Sequence, residues 1–191
     1  PSKVGFKMPR VTADIVTVSH GHNDHNNLDA VLGDPEVISA AGAYDIRGVH
    51  ILGRRTYHDS KSGAARGADI VFKFRMDGVD VCHMGDIGEE CNAMLVDSIA
   101  PVNVLMIPIG GTYTIDAEQA KEFVDRIMPD VVIPMHYKTR EHSFDIAKLN
   151  DFLDLFDDDD IVYPESDTVE FDRADFDGES TKVYVLERFS D

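Results

Sequence analysis

His20, His22, Asp24 and His25 fall within six positions of one another, in the stretch VTVSHGHNDHNN that runs from Val16 to Asn27. Three imidazoles and a carboxylate that close together, directly after a β-branched apolar run, form a ligand cluster for one or two transition-metal ions. His20 and His22 lie two apart and can face one ion together in an extended or turning backbone. Asp24 and His25 can face a second ion as the chain bends away. Nitrogen and oxygen donors without a thiolate favour zinc, manganese or iron over sites built from soft sulfur.

Other ligand-type residues also follow apolar runs. Asp86 comes after the run that starts at Val79, His136 after the run that starts at Val131, and His58 sits in the polar segment TYHDSKSGAARGAD. Sites of this kind gather at the carboxyl ends of strands, where polar loops ride on a rigid apolar frame. His83 shares a strand face with Val79 and Val81 and reads as a support for a ligand, whereas Cys82 points the other way, into the core. Tyr137, Lys138 and Arg66 are candidates for substrate contact. His50 and His142 read as ordinary histidines, and Gly110-Gly111 as a tight turn near the site.

The elements that must position these residues follow a βαβ rhythm. Val11–Val18 reads as a buried strand after a lead-in over Pro1–Arg10, Asn26–Leu32 as a short helix stopped by Gly33 and Pro35, and Glu36–Ser39 as a strand. Ala40–Ile46 is ambiguous and Val49–Gly53 is strand-like. Ile70–Met76 and Val79–Met84 predict an antiparallel hairpin turned at Asp77-Gly78. Apolar spacing predicts helices over Glu89–Ile99, Asp116–Met128 with Asp116 at its start, and Phe144–Phe156. Val102–Ile107, Val131–Pro134, Thr168–Phe171 and Lys182–Glu187 read as strands, and Asp157–Asp160 as a solvated acidic loop.

One domain is expected for 191 residues with 43% hydrophobic and 28% charged composition. No stretch approaches the ~18 apolar residues of a membrane helix, so no membrane partner is expected. The net charge of -18 opposes binding to nucleic acid in general, although Arg54, Arg55 and Arg66 could meet one phosphate. Cys82 and Cys91 form no disulfide framework, and no secretory signal is visible, which points to the cytoplasm. Pro1 in place of an initiator Met suggests a trimmed chain or a fragment.

The blocks SHGHNDH (Ser19–His25), TYHDSKSGAARG (Thr56–Gly67), HMGDIG (His83–Gly88), IPIGGTYT (Ile107–Thr114) and PMHYKT (Pro134–Thr139) resemble those of the metallo-β-lactamase fold hydrolases. Within them the chain is similar to the branch of ascorbate-6-phosphate lactonase and other metal-dependent hydrolases. The resemblance implies an α/β fold, an αββα sandwich, over residues 1–191. It implies one ion held by His20, His22 and His58, a second by Asp24, His25 and His136, and Asp86 bridging both. Two divalent ions are expected, zinc first, manganese or iron otherwise. A hydroxide shared between them would cleave an ester, lactone or phosphoester of a small molecule, with Asp24 orienting it or handling its proton.

The family places further strands ahead of the one that leads into HxHxDH, whereas here that strand begins near residue 11. The expectation is therefore a fold short at its N-terminal edge, as a fragment, a clipped sheet or one completed by another chain, and a homo-oligomer is allowed. Two rivals remain. A nucleic-acid phosphodiesterase similar to ribonuclease Z is disfavoured by the charge. A metal-binding or assembly protein without turnover is disfavoured by the bridging aspartate, since a structural ion needs closed ligands only.

Overall fold

The computed structural model describes residues 9–141 and 143–188; His142 and most of the lead-in lie outside the described residues. Strands β1 (Val11–Thr12), β2 (Ile15–Thr17), β3 (Val31–Leu32), β4 (Glu36–Ile38), β5 (Gly42–Ile46), β6 (Val49–Tyr57), β7 (Ala68–Met76) and β8 (Val79–His83) come first. Helix α1 (Ala93–Ile99), β9 (Val104–Pro108), α2 (Ala117–Ile127), β10 (Val131–Met135), α3 (Leu149–Leu153), β11 (Ile161–Val162) and β12 (Lys182–Tyr184) follow. Eight strands form one sheet in the order β11-β12-β10-β9-β8-β7-β6-β5.

Strand direction decides where the chemistry collects. From β11 to β8 the neighbours run parallel, and from β8 to β5 they alternate. The carboxyl ends of β6, β8, β9 and β10 therefore share one edge of the sheet with the amino end of β7. Asp77 and Gly78 both have positive φ, 50° and 80°, the conformation of a type I′ hairpin turn between β7 and β8.

Side-chain alternation gives the sheet two apolar faces. On one, Val71, Cys82, Leu105, Val132 and Val183 pack beneath Leu95 and Ile99 of α1, Phe123 and Val124 of α2, and Phe152 of α3. Burial there pushes the Cys82 thiol up to about 12, and both cysteines are free. On the other, Ile51, Ile70 and Phe72 meet Ile38 and Ile15 from the parallel β2–β4 pair, while Val104 and Val131 are covered by Phe171 and Phe176. No helix among the described residues is long and apolar enough to cross a membrane.

Several elements depart from the sequence reading, each for a tertiary reason. Val11–Val18 is two short strands broken at Ala13-Asp14, and Val11 is 44% exposed. Asn26–Leu32 makes only a single tight turn at Leu28–Ala30, because Val31 and Leu32 are drawn into pairing with Val11 and Thr12. The helix expected from Glu89 starts at Ala93, where the Asn92 side chain accepts from Leu95 N. Residues 144–148 are not helical. Lys138 N donates to Ala147 O and Ala147 N to Gly110 O, so the backbone is already committed, and α3 begins only at Leu149. Thr168–Phe171 is not a strand, because Ile161–Val162 takes the edge beside β12.

The expected start of α2 is found: the Asp116 side chain accepts from Gln119 N while Gln119 Oε1 accepts from Asp116 N, a reciprocal capping box. Asp116→Ala should therefore cost about 1 kcal/mol, and a thermal melt should fall by about 2–4 °C.

Candidate metal centre

The residues of the opening cluster lie on the loop after β2, tied down by Val18 N donating to Ile38 O and by a turn in which His25 N donates to His22 O. His58 follows β6, Asp86 follows β8 and His136 follows β10, so the shared sheet edge brings them to the same place. Asp86 Oδ2 lies 3.2 Å from His25 Nε2, 3.4 Å from His58 Nε2, 3.7 Å from His136 Nε2 and 3.8 Å from His20 Nε2. Donor atoms of His20, His22 and His58 lie within 4.8 Å of one another, as do those of His20, His25 and Asp86. Asp24 stands at the rim: its Oδ2 is 3.9 Å from His25 Nε2, and its side chain is 55% exposed.

Charge explains how a buried carboxylate survives here. Burial would raise the Asp86 pKa, but His25 and His58 hydrogen-bond to the carboxylate and hold it well below the usual range. His20 Nε2, which faces Asp86 Oδ2, is buried with no hydrogen-bond partner among the described residues. A buried imidazole nitrogen left this way, beside the Nε2 atoms of His25, His58 and His136 around one carboxylate, is what a cation would satisfy, so the residues fit a metal centre by their own geometry.

The sequence reading missed the residue that fixes this arrangement. Asp69, fully buried at the start of β7, accepts from His20 Nδ1 at 3.0 Å, from Asp86 N at 3.3 Å and from Thr56 Oγ1 at 3.4 Å. It orients one ligand and the backbone of another. The available signal was a carboxylate inside the apolar run that makes β7, since an Asp is almost never fully buried without a partner.

Three glycines make the convergence possible. A Cβ on Gly85, whose φ is +59°, would sit 2.4 Å from Asp69 Oδ2; on Gly88 it would sit 2.6 Å from the His58 carbonyl carbon; on Gly110 it would sit 2.1 Å from His136 O. Each bare backbone lies against a ligand or its orienting partner. His136 itself takes a positive φ of 55°, a conformation that costs a non-glycine residue about 1 kcal/mol or more.

The other candidates have structural employment. His83 Nδ1 accepts from Gly85 N at 3.1 Å, which supports the turn into Asp86, and burial lowers its pKa. Lys138 Nζ donates to Phe144 O, and Tyr137 is half-buried against the helical core. The Arg66 guanidinium lies 4.7 Å above the Tyr113 ring and donates to Thr112 O at 3.3 Å. His50 is exposed and paired with Asp45 at 2.8 Å, away from the cluster.

A mixed sheet with helices on one face and histidines converging on one aspartate at the strand ends defines an α/β metal-centre protein. A family profile described as a beta-lactamase superfamily domain matches residues 1–136, and the chain belongs to the metallo-β-lactamase superfamily. It is 30% identical over 155 residues to a UPF0173 metal-dependent hydrolase of Carboxydothermus hydrogenoformans, covering 68% of this chain and 69% of that one. A UPF0173 metal-dependent hydrolase of Thermococcus kodakarensis is 28% identical over 162 residues, 72% of each chain. Among solved structures, a proposed Zn-dependent hydrolase of the superfamily from Thermotoga maritima superposes with a TM-score of 0.78 at 40% identity, over 94% of this chain and 84% of that one.

The close approach at Gly88 is directly testable. Gly88→Ala should lose about 1–3 kcal/mol of stability in denaturant unfolding, because the methyl has only backbone to push against. Wild-type stability would show that Gly88 and His58 do not meet as described.

Proposed function

We propose that the chain is a metal-dependent hydrolase that cleaves an ester, lactone or phosphoester bond of a small molecule. The observation that carries this reading is the position of Asp86 Oδ2, within 3.2–3.8 Å of four imidazole nitrogens from three separate stretches of chain. The hydrolase names of the relatives support it.

In this reading His20, His22 and His58 would hold one divalent ion, Asp24, His25 and His136 would hold a second, and Asp86 would contribute to both. Zinc suits this set of nitrogen and oxygen donors, with manganese or iron as alternatives. Ions bound there would lower the pKa of a coordinated water and polarise the oxygen at the bond to be broken.

The chain's own residues do the positioning. Asp69 accepts the Nδ1 proton of His20, which leaves the Nε2 lone pair facing Asp86. Asp24, at the exposed rim, orients the attacking water and receives its proton. A small substrate fits the charge balance better than nucleic acid, because a net charge of -18 repels polyanions. Free thiols at Cys82 and Cys91 support a reducing compartment such as the cytoplasm.

A zinc-loaded preparation, assayed for ions per chain and screened over lactones and phosphodiesters, tests this reading. His20→Ala and His136→Ala should each reduce turnover by roughly 100-fold or more, since even partners of ligands are worth 10–100-fold. Less than one ion per chain, or an unaffected rate in His136→Ala, would sink it.

The metal-free protein offers a second test. Burial pushes the imidazoles of His22, His25, His58 and His136 down, but Asp86 outweighs it at His25 and His58, which titrate above 6.5. Burial prevails at His22, aided by His20 and His58, and at His136, so those two titrate below 6.5. NMR titration of the chelated protein should place His25 and His58 above 6.5, and His22, His136 and the buried His83 below it. Metal added near that pH should release protons from the upper pair, because ligation needs neutral imidazole.

A further inference from the structure

The His58 loop is organised around a carboxylate that the proposed chemistry does not use. Asp59 Oδ1 accepts from Lys61 N at 2.8 Å and Gly63 N at 3.0 Å, and Oδ2 accepts from Ala65 N at 3.0 Å and Arg66 N at 2.7 Å. At the mouth of the loop His58 N donates to Gly67 O at 3.1 Å, and Gly67 N donates to Gly63 O at 2.9 Å. One side chain thus satisfies four backbone donors that no helix or strand would satisfy.

The loop is then braced against its neighbour. Arg66, whose own N–H is held by Asp59, stacks on Tyr113 and donates to the carbonyls of Thr112 and Tyr113. Thr112 Oγ1 donates to Asp145 O at 2.9 Å, and Tyr113 meets Phe144 edge-on at 6.2 Å. Two residues earlier, Gly110 lies against His136. A continuous set of contacts therefore runs from the residue after His58 to the loop that follows His136.

We propose that Asp59 is a positioning residue of the metal centre: by closing the loop His58–Gly67 it fixes His58, and through Arg66 it locks that loop to the one packed against His136. This rests on the functional reading above. An asparagine has the same shape but presents an amide N–H₂ where two of the four backbone donors now meet an oxygen, so Asp59→Asn is the informative change.

Wild-type and Asp59→Asn proteins are loaded with cobalt(II), and three quantities are read: cobalt affinity, the visible ligand-field spectrum, and hydrogen exchange of the amides of Lys61, Gly63, Ala65 and Arg66. The variant should exchange those amides at least about 10-fold faster, bind cobalt about 10–100-fold more weakly, and show a shifted spectrum. Faster exchange with unchanged affinity and spectrum would make Asp59 a loop stabiliser only and overturn the proposal; unchanged exchange would overturn it as well.

Wild-type protein that binds no cobalt would overturn the functional reading, and this inference with it, whereas failure confined to the variant comparison strikes this inference alone. Should Asp59→Asn not fold, Arg66→Met carries the test, since it leaves the Asp59 cage intact. It should also weaken cobalt binding and shift the spectrum, and wild-type values for both would overturn the proposal.

Discussion

A single carboxylate oxygen faced by four imidazoles is the constraint on which the rest of this structure depends. Asp86 is buried, and a buried unpaired charge is among the costliest things a fold can contain. The chain answers by bringing His20, His25, His58 and His136 within 3.8 Å of Asp86 Oδ2. That solution creates its own problem, because imidazoles this close repel one another when protonated and leave lone pairs unsatisfied when neutral. Protons on His25 and His58 resolve the conflict without a metal, and divalent cations resolve it with one. The cluster is a place where positive charge must be supplied, and the source of that charge is interchangeable.

The backbone pays for this convergence in side chains it cannot have. Neighbouring strand ends cannot crowd together while every residue carries a Cβ, and Gly85 and Gly88 after β8 and Gly110 after β9 remove it where Asp69, His58 and His136 come closest. The mixed sheet supplies the rest: antiparallel pairing from β5 to β8 and parallel pairing from β8 to β11 bring the ends of β6, β8 and β10 to one edge. Apolar contacts with α1 and α2 hold that edge rigid. Core packing acts on the site by limiting how far its donors can drift.

How much of this was legible in the sequence depended on how local each signal is. His20, His22, Asp24 and His25 stand out because four donors share one short stretch. His58, Asp86 and His136 stand alone; Asp86 and His136 were marked by their place after apolar runs, and all three by lying within the blocks that resemble the family's. Asp69 was invisible because its role comes from the facing His20 ring and from Asp86 N, contacts that no spacing encodes. The helix read over Phe144–Phe156 is found only at Leu149–Leu153, for a related reason: apolar periodicity was present, but Lys138 and Gly110 claim backbone groups that a longer helix would need. The α2 start was readable because a capping box is closed within four residues.

Burial divides the donors unevenly, and the division indicates how a reactant arrives. His20, His58 and Asp86 are 8%, 3% and 5% exposed, walled by Asp69 and by the ends of β6 and β8. His22 and Asp24 are exposed, on the turn that follows β2, the strand paired with β4. A molecule approaching from the buried side would meet the core, so approach from the His22 and Asp24 side is the route the packing leaves open. In the proposed reading Asp24 would stand beside the incoming molecule, where a carboxylate can handle a proton, while Asp86 would lie behind it, where a carboxylate holds charge. On that reading two aspartates of the same chemistry would be given different work by their depth.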